Sequence, residues 1–121
     1  MDVCQGEMYW VEITSAETKG SEQFGRRPFI IVSRDGVNKA LKTVVAVPTS
    51  CTIDGQPAYR IRIPVAEIQK DITCTSNLQD CVAKTDQVRV IDKSRLISKI
   101  GRLSRTATVS VLLGVSYVLN L

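Results

Sequence analysis

The sequence has no histidine at all. The usual general base near neutral pH is therefore missing, and so is the commonest metal ligand. Catalysis by this chain has to use carboxylate, arginine, hydroxyl, amide or thiol. Four cysteines stand at Cys4, Cys51, Cys74 and Cys81, and no two of them form a CxxC spacing. Scattered in this way they argue against a zinc site, so neither metal nor cofactor is expected. The first ten residues, MDVCQGEMYW, lack a basic n-region and an apolar h-region. With no export signal, free thiols in a reducing cytoplasm are the expected state of the cysteines. Aromatic residues make up only 5% of the chain. Long apolar runs are missing too. The uncharged tail TATVSVLLGVSYVLNL (106–121) is shorter than the ~20 residues a membrane span needs, and it contains Gly114, Ser116 and Asn120. It reads as a buried terminal element. No low-complexity tract or internal repeat is visible.

The 121 residues are expected to form a single domain over 1–121. A net charge of +4 is a modest basic bias, compatible with a nucleic-acid partner without requiring one.

The chain is organised around residues 20–33, GSEQFGRRPFIIVS. A glycine-bounded polar loop carries Glu22. Arg26 and Arg27 follow, and then a proline-led apolar run, 28–33, short enough to be a strand buried on both faces. A fixed cation beside a carboxylate on a loop suggests phosphate handling. Before it, residues 6–13 alternate as a first strand, in which Trp10 reads as core. Residues 14–26 read as a long loop. After it come a turn at 34–38, a β-branched run TVVAV ended by Pro48-Thr49-Ser50, and a turn signal at Asp54-Gly55. AYRIRI (58–63) alternates, with Arg60 and Arg62 expected as solvated cations on an outer face. Residues 64–79 read as irregular. Two short strands are expected at 81–84 and 87–91, and Asp92 is expected to cap a helical turn. Residues 100–104 read as a connection. Ser104 or Thr106 then starts a final helix with Val109, Leu112, Leu113 and Tyr117 on its apolar face. Five or six short strands followed by a terminal helix make a mainly β chain, a small curved sheet or barrel.

Three stretches carry a family resemblance: GSEQFGRRPFIIVSRDGVN, TVVAVPTS and DQVRVIDKSRLISKIGRLS. Together they resemble the MazF/PemK toxins of type II toxin–antitoxin systems, from Gly6-Glu7 to the last helix. The resemblance implies an SH3-like small barrel of the MazF/Kid/CcdB type, assembled as a cytoplasmic homodimer. It implies a metal-independent, ribosome-independent endoribonuclease that cuts single-stranded RNA at short sequences by 2′-hydroxyl attack. A MazE-like antitoxin would inhibit it by covering the RNA groove. The catalytic arginine then falls on Arg27 and the catalytic hydroxyl on Thr49. The loop carboxylate and amide fall on Glu22 and Gln23, and a substrate-side glutamine on Gln87. Arg26, Ser50, Lys84 and Arg89 are expected RNA contacts.

The sequence departs from the family pattern where Pro48 directly precedes Thr49, since the family often places proline two positions before the hydroxyl residue. From the residues alone, Arg27 reads as a structural ion pair and Thr49 as a strand-end cap, and only the resemblance reverses this; Arg26, Lys84 and Arg89 have solvated charges as their alternative reading. Glu22 is either the general base or an ion-pair partner that gates access. A CcdB-like gyrase poison, or an RNA-binding barrel without turnover, are the rival readings on the same fold.

Overall fold

The computed structural model describes residues 2–14 and 25–121; Glu22 and Gln23, and most of the loop expected at 14–26, lie outside them. The elements are β1 (Glu7–Ile13), β2 (Gly25–Ile31), α1 (Asp35–Ala40), β3 (Thr43–Ser50), β4 (Ile61–Ile63), β5 (Ile68–Lys70), β6 (Cys81–Ala83), β7 (Arg89–Asp92), β8 (Leu96–Leu103) and α2 (Arg105–Leu119). The strands form one antiparallel, barrel-like sheet in the order β4-β6-β3-β2-β1-β8-β5, with β7 also paired to β3. Among the described residues no helix is long and apolar enough to cross a membrane.

Strands β1 to β3 are largely buried on both faces, which fits the apolar runs of β2 and β3. Along β2, Phe29 and Ile31 point to one side and Ile30 to the other. The first side faces a core that includes Tyr9, Val11, Val44 and Ile91. The second faces a core shared with β4, β6, β8 and α2, where Ile63, Cys81, Ile100 and Val111 meet. β2 starts at Gly25 rather than Pro28, so Arg26 and Arg27 belong to the strand and inherit its alternation.

A buried carboxylate joins β1 to β8. Glu7 is 3% exposed; it accepts the Cys4 amide at 2.7 Å and the Tyr9 hydroxyl at 3.1 Å, and it pairs with Lys99. Burial and the Glu7 charge together push the Tyr9 hydroxyl pKa well above its ordinary value.

Four expectations are corrected. The turn at 34–38 is the start of the short helix α1. Residues 100–104 are not a connection, because Leu96–Leu103 is one eight-residue strand. Gly101 permits it: a Cβ there would lie 2.5 Å from the Gln69 carbonyl of β5. Within the stretch read as irregular, Ile68–Lys70 pairs with β8. On α2, Ser104 caps the helix as expected, its hydroxyl accepting the Ala107 amide at 3.1 Å. The buried face is different from the one expected, however. Ala107, Val111 and Gly114 are buried and Leu112 packs against the core as expected, while Val109, Leu113 and Tyr117 are exposed. Small residues take the inward positions because the helix sits hard against the β4 approach. A Cβ on Gly114 would meet the Tyr59 carbonyl at 2.7 Å.

Candidate active site

The pairing of β2 with β3 decides which side chains meet. Phe29 lies opposite Pro48 and Ile30 opposite Val47. Opposed residues in an antiparallel pair present side chains on the same face. Carrying that register toward the mouth of β2 sets Pro28 against Thr49 and Arg27 against Ser50. A side-chain contact supports the first of these pairs, since the Thr49 hydroxyl donates to the Pro28 carbonyl at 3.3 Å. Thr49 is only 5% exposed and lies opposite Ala83, itself opposite Ile61, on the face of the α2-side core. Ser50 lies opposite Val82 on the other face and is half-buried.

Two more cations join Ser50 and Arg27. Lys84 follows Ala83, and its amide donates to the Pro48 carbonyl at 2.9 Å. Alternation then puts its side chain on the face of Val82 and Ser50. Burial lowers the pKa of the Lys84 ammonium, and repulsion from Arg60 and Arg27 lowers it further against the pull of Asp86. Arg27 and Lys84 therefore act in one electrostatic field. Arg89 lies opposite Ala46, which shares the face of Pro48 and Ser50. Gln87 closes the 3-10 turn Thr85–Gln87 at the edge of this group. Thr85 anchors that turn, fully buried with its hydroxyl donating to the Tyr59 carbonyl at 2.7 Å.

Arg60 borders the site, and it is not a solvated cation as expected. Its guanidinium grips Asp86 with two bonds, Nε to Oδ1 at 2.7 Å and Nη2 to Oδ2 at 2.8 Å, and a third bond goes to Gln56. The bidentate bond holds the Asp86 carboxyl below the ordinary carboxylate range. Arg62 is exposed as expected, with its guanidinium 3.0 Å from Asp80. The alternation of AYRIRI reveals two outward arginines, but the carboxylates that meet them lie 26 and 18 positions downstream. Nothing local in the sequence signals those pairs.

The expected site residues thus separate. Arg27, Ser50, Lys84 and Arg89 share one face, with Gln87 beside it. Thr49, expected to carry the reactive hydroxyl, is turned into the core. Arg26 is on the opposite face of β2, its guanidinium 5.9 Å from the centroid of the Trp10 ring. Trp10 is correspondingly half-buried rather than fully core, and with Arg26, Ser76 and Ser98 it lines a polar cavity of about 400 Å³. Three cations and a hydroxyl around one patch make a surface for phosphate. The arginine forks bind two oxygens at once, and the serine donates a further hydrogen bond.

Comparison with known proteins agrees with this chemistry. The family described as PemK-like, MazF-like toxin of type II toxin-antitoxin system matches residues 4–119. The endoribonuclease MazF of Staphylococcus epidermidis is 31% identical over 108 residues, spanning 88% of this chain and 82% of that protein. Among solved structures, MazF from Deinococcus radiodurans has the same fold, with a TM-score of 0.77 at 20% identity over 100% of this chain and 99% of that one. A mycobacterial endoribonuclease in complex with its cognate antitoxin aligns with a TM-score of 0.73 at 18% identity, over 98% of this chain and 96% of that one.

Proposed function

The chain belongs to the PemK-like, MazF-like toxins of type II toxin–antitoxin systems, and from that premise we propose that it is an endoribonuclease acting on single-stranded RNA. The observation that carries the reading is the shared face of Arg27, Ser50 and Lys84, set by the register of β2, β3 and β6. In the proposed reaction the ribose 2′-hydroxyl attacks the adjacent phosphorus. The O2′–P bond forms and the P–O5′ bond breaks, and the departing O5′ takes a proton from water, leaving a cyclic phosphate and a 5′-hydroxyl end. Arg27 holds the phosphoryl oxygens in a bidentate grip as their charge grows, and the Ser50 hydroxyl donates to the same oxygens. Lys84 and Arg89 hold the flanking phosphates, with Gln87 at the edge of the groove. Glu22 takes the proton of the 2′-hydroxyl and Gln23 contacts the substrate beside it. Loss of the acid limb of the pH–rate profile in Glu22→Gln tests that role. The same basic face would receive a cognate antitoxin, so antitoxin and RNA compete for it.

The exposed face of α2 supports a homodimer. Val109, Leu113 and Tyr117 are 45%, 64% and 73% exposed. Leu113 and Tyr117 border an apolar cleft of about 370 Å³ formed with Ala58, Tyr59 and Ile61. Fully burying such side chains contributes roughly 1.5–3 kcal/mol each. Association costs at least about 4 kcal/mol and often much more. The three residues alone only offset that cost, so the interface has to continue into the cleft, with a side chain of the second copy filling it. Light scattering on purified protein at micromolar concentration is expected to give twice the chain mass; a monomer would refute this assembly.

The activity is tested by incubating the protein with a long, unstructured RNA in the presence of EDTA and mapping the new ends. Discrete cuts bearing cyclic phosphates are expected. An uncut RNA of complete short-sequence coverage, with the protein folded, overturns the reading.

A further inference from the structure

Two cysteines stand across from each other at the end of the strand that carries Ser50. Thr49 is paired with Ala83 and Ser50 with Val82. The ladder ends there, and one more step of its register leads to Cys51 opposite Cys81. The Lys84 amide donates to the Pro48 carbonyl at 2.9 Å, which makes 48 and 84 a hydrogen-bonded pair. Hydrogen-bonded and non-hydrogen-bonded pairs alternate along an antiparallel ladder, so 49/83 is non-hydrogen-bonded, and 51/81 is the next such pair once the ladder runs one residue further. In such a pair the Cα atoms are about 4.5 Å apart and the side chains are at their closest. A disulfide spans Cα separations of roughly 4.4–6.8 Å. Alternation also puts Cys51 on the face of Thr49 and Cys81 on the face of Ala83, which is one face. Both thiols are free; Cys51 is exposed and Cys81 is buried. Burial raises the Cys81 pKa to about 11, with the nearby Cys51 contributing.

We propose that Cys51 and Cys81 are an oxidation-sensitive pair that closes to a disulfide under peroxide and displaces the Ser50 hydroxyl. The Cys51 thiolate attacks the peroxide; the O–O bond breaks, and the hydroxide released takes a proton to become water. The Cys81 sulfur then attacks the Cys51 sulfenic acid. The S–S bond forms, the S–O bond breaks, and a second water leaves. Two thiols and one hydrogen peroxide give one disulfide and two waters, with two electrons passing from sulfur to oxygen. The raised Cys81 pKa makes the second step the slow one. A dithiol reductant reverses the closure.

The consequence for the site follows from a local contact. The chain bends at Cys51, and the Ser50 hydroxyl accepts the Thr52 amide at 3.1 Å. Drawing the Cys51 sulfur across to Cys81 extends β3 by one residue and opens that bend. Ser50 then loses the contact that holds its hydroxyl on the Arg27 face. This part rests on the ribonuclease reading above.

The test uses a Cys4→Ser/Cys74→Ser protein, which leaves only the proposed pair. After peroxide, peptide mapping is expected to show residues 51 and 81 in one linked species, with no thiol left to alkylate. RNA cleavage is expected to fall about tenfold or more, as a small displacement of a catalytic group implies, and to return with dithiothreitol. Replacing Cys51 by serine in this background is expected to make cleavage insensitive to brief peroxide treatment. Retained thiols, Cys51 driven to sulfinic acid alone, or disulfides only between chains overturn the pairing. A 51–81 disulfide with unchanged cleavage overturns its effect on Ser50. If the reduced protein cuts no RNA, the ribonuclease reading fails instead, and the thiol map still decides the pairing.

Discussion

Arg27→Ala is expected to lower the single-turnover rate of RNA cleavage by about 10³-fold while leaving the fold and thermal midpoint almost unchanged. The two halves of this expectation have separate causes. Arg27 is exposed at the mouth of β2, beyond the apolar run 29–31 that anchors the strand. Substitutions at such positions usually alter stability by no more than ~0.5 kcal/mol. The rate is affected much more. One donor aimed at developing oxyanion charge is worth about 10²–10³, and an arginine placed on a phosphoryl group in transfer is worth about 10³–10⁵. Arg27→Lys should recover only a small part, since an ammonium restores charge without the planar fork. Arg26→Ala is the internal control. It removes an equal charge from the adjacent position, but on the face that stacks over Trp10, so a few-fold effect is expected. A loss below tenfold in Arg27→Ala, or an equal loss in Arg26→Ala, would remove Arg27 from the reacting phosphate.

The contrast between adjacent arginines also marks what could be read in the sequence. The β1–β2–β3 sheet is legible because its signal is local. PFIIV is apolar throughout and TVVAV is apolar after Thr43, and short β-branched runs of this kind fit strands buried on both faces. β8 is not legible, because Ser98, Lys99, Gly101 and Arg102 look like a loop when taken alone. Lys99 is held by Glu7, which is 92 positions upstream, and Gly101 is required by the close passage of Gln69 on β5. Both reasons are tertiary. The same holds for α2. The large apolar residues looked like the buried face, yet Ala107, Val111 and Gly114 are the buried positions, and at Gly114 a side chain would run into the Tyr59 carbonyl. The cationic character of the candidate site is visible in Arg27, Lys84 and Arg89. Which hydroxyl lies on the Arg27 face is not. PTS offers Thr49 and Ser50 side by side, and the register of Phe29 against Pro48 puts Ser50 on that face.

That parity gives the second large effect. Ser50→Ala is expected to slow cleavage by about 10²–10³-fold, the worth of one lost donor to the phosphoryl oxygens. Its thermal midpoint should barely move, because Ser50 is half-buried and its hydroxyl supports only the exposed bend at Thr52. Thr49→Val should do the reverse. It preserves shape in a position only 5% exposed, but it deletes the hydroxyl that donates to the Pro28 carbonyl. The cost is about 1 kcal/mol of stability. For a chain of this length that corresponds to a fall of a few degrees in midpoint, while cleavage measured well below the midpoint stays within a few-fold of the unsubstituted rate. The pair of measurements separates the two hydroxyls without reference to any relative. If instead Thr49→Val abolishes cleavage and Ser50→Ala spares it, then the reacting phosphate lies on the α2 side of the sheet, where Arg26 and Trp10 are. Arg27 could not then hold that phosphate, since its side chain leaves β2 from the other face.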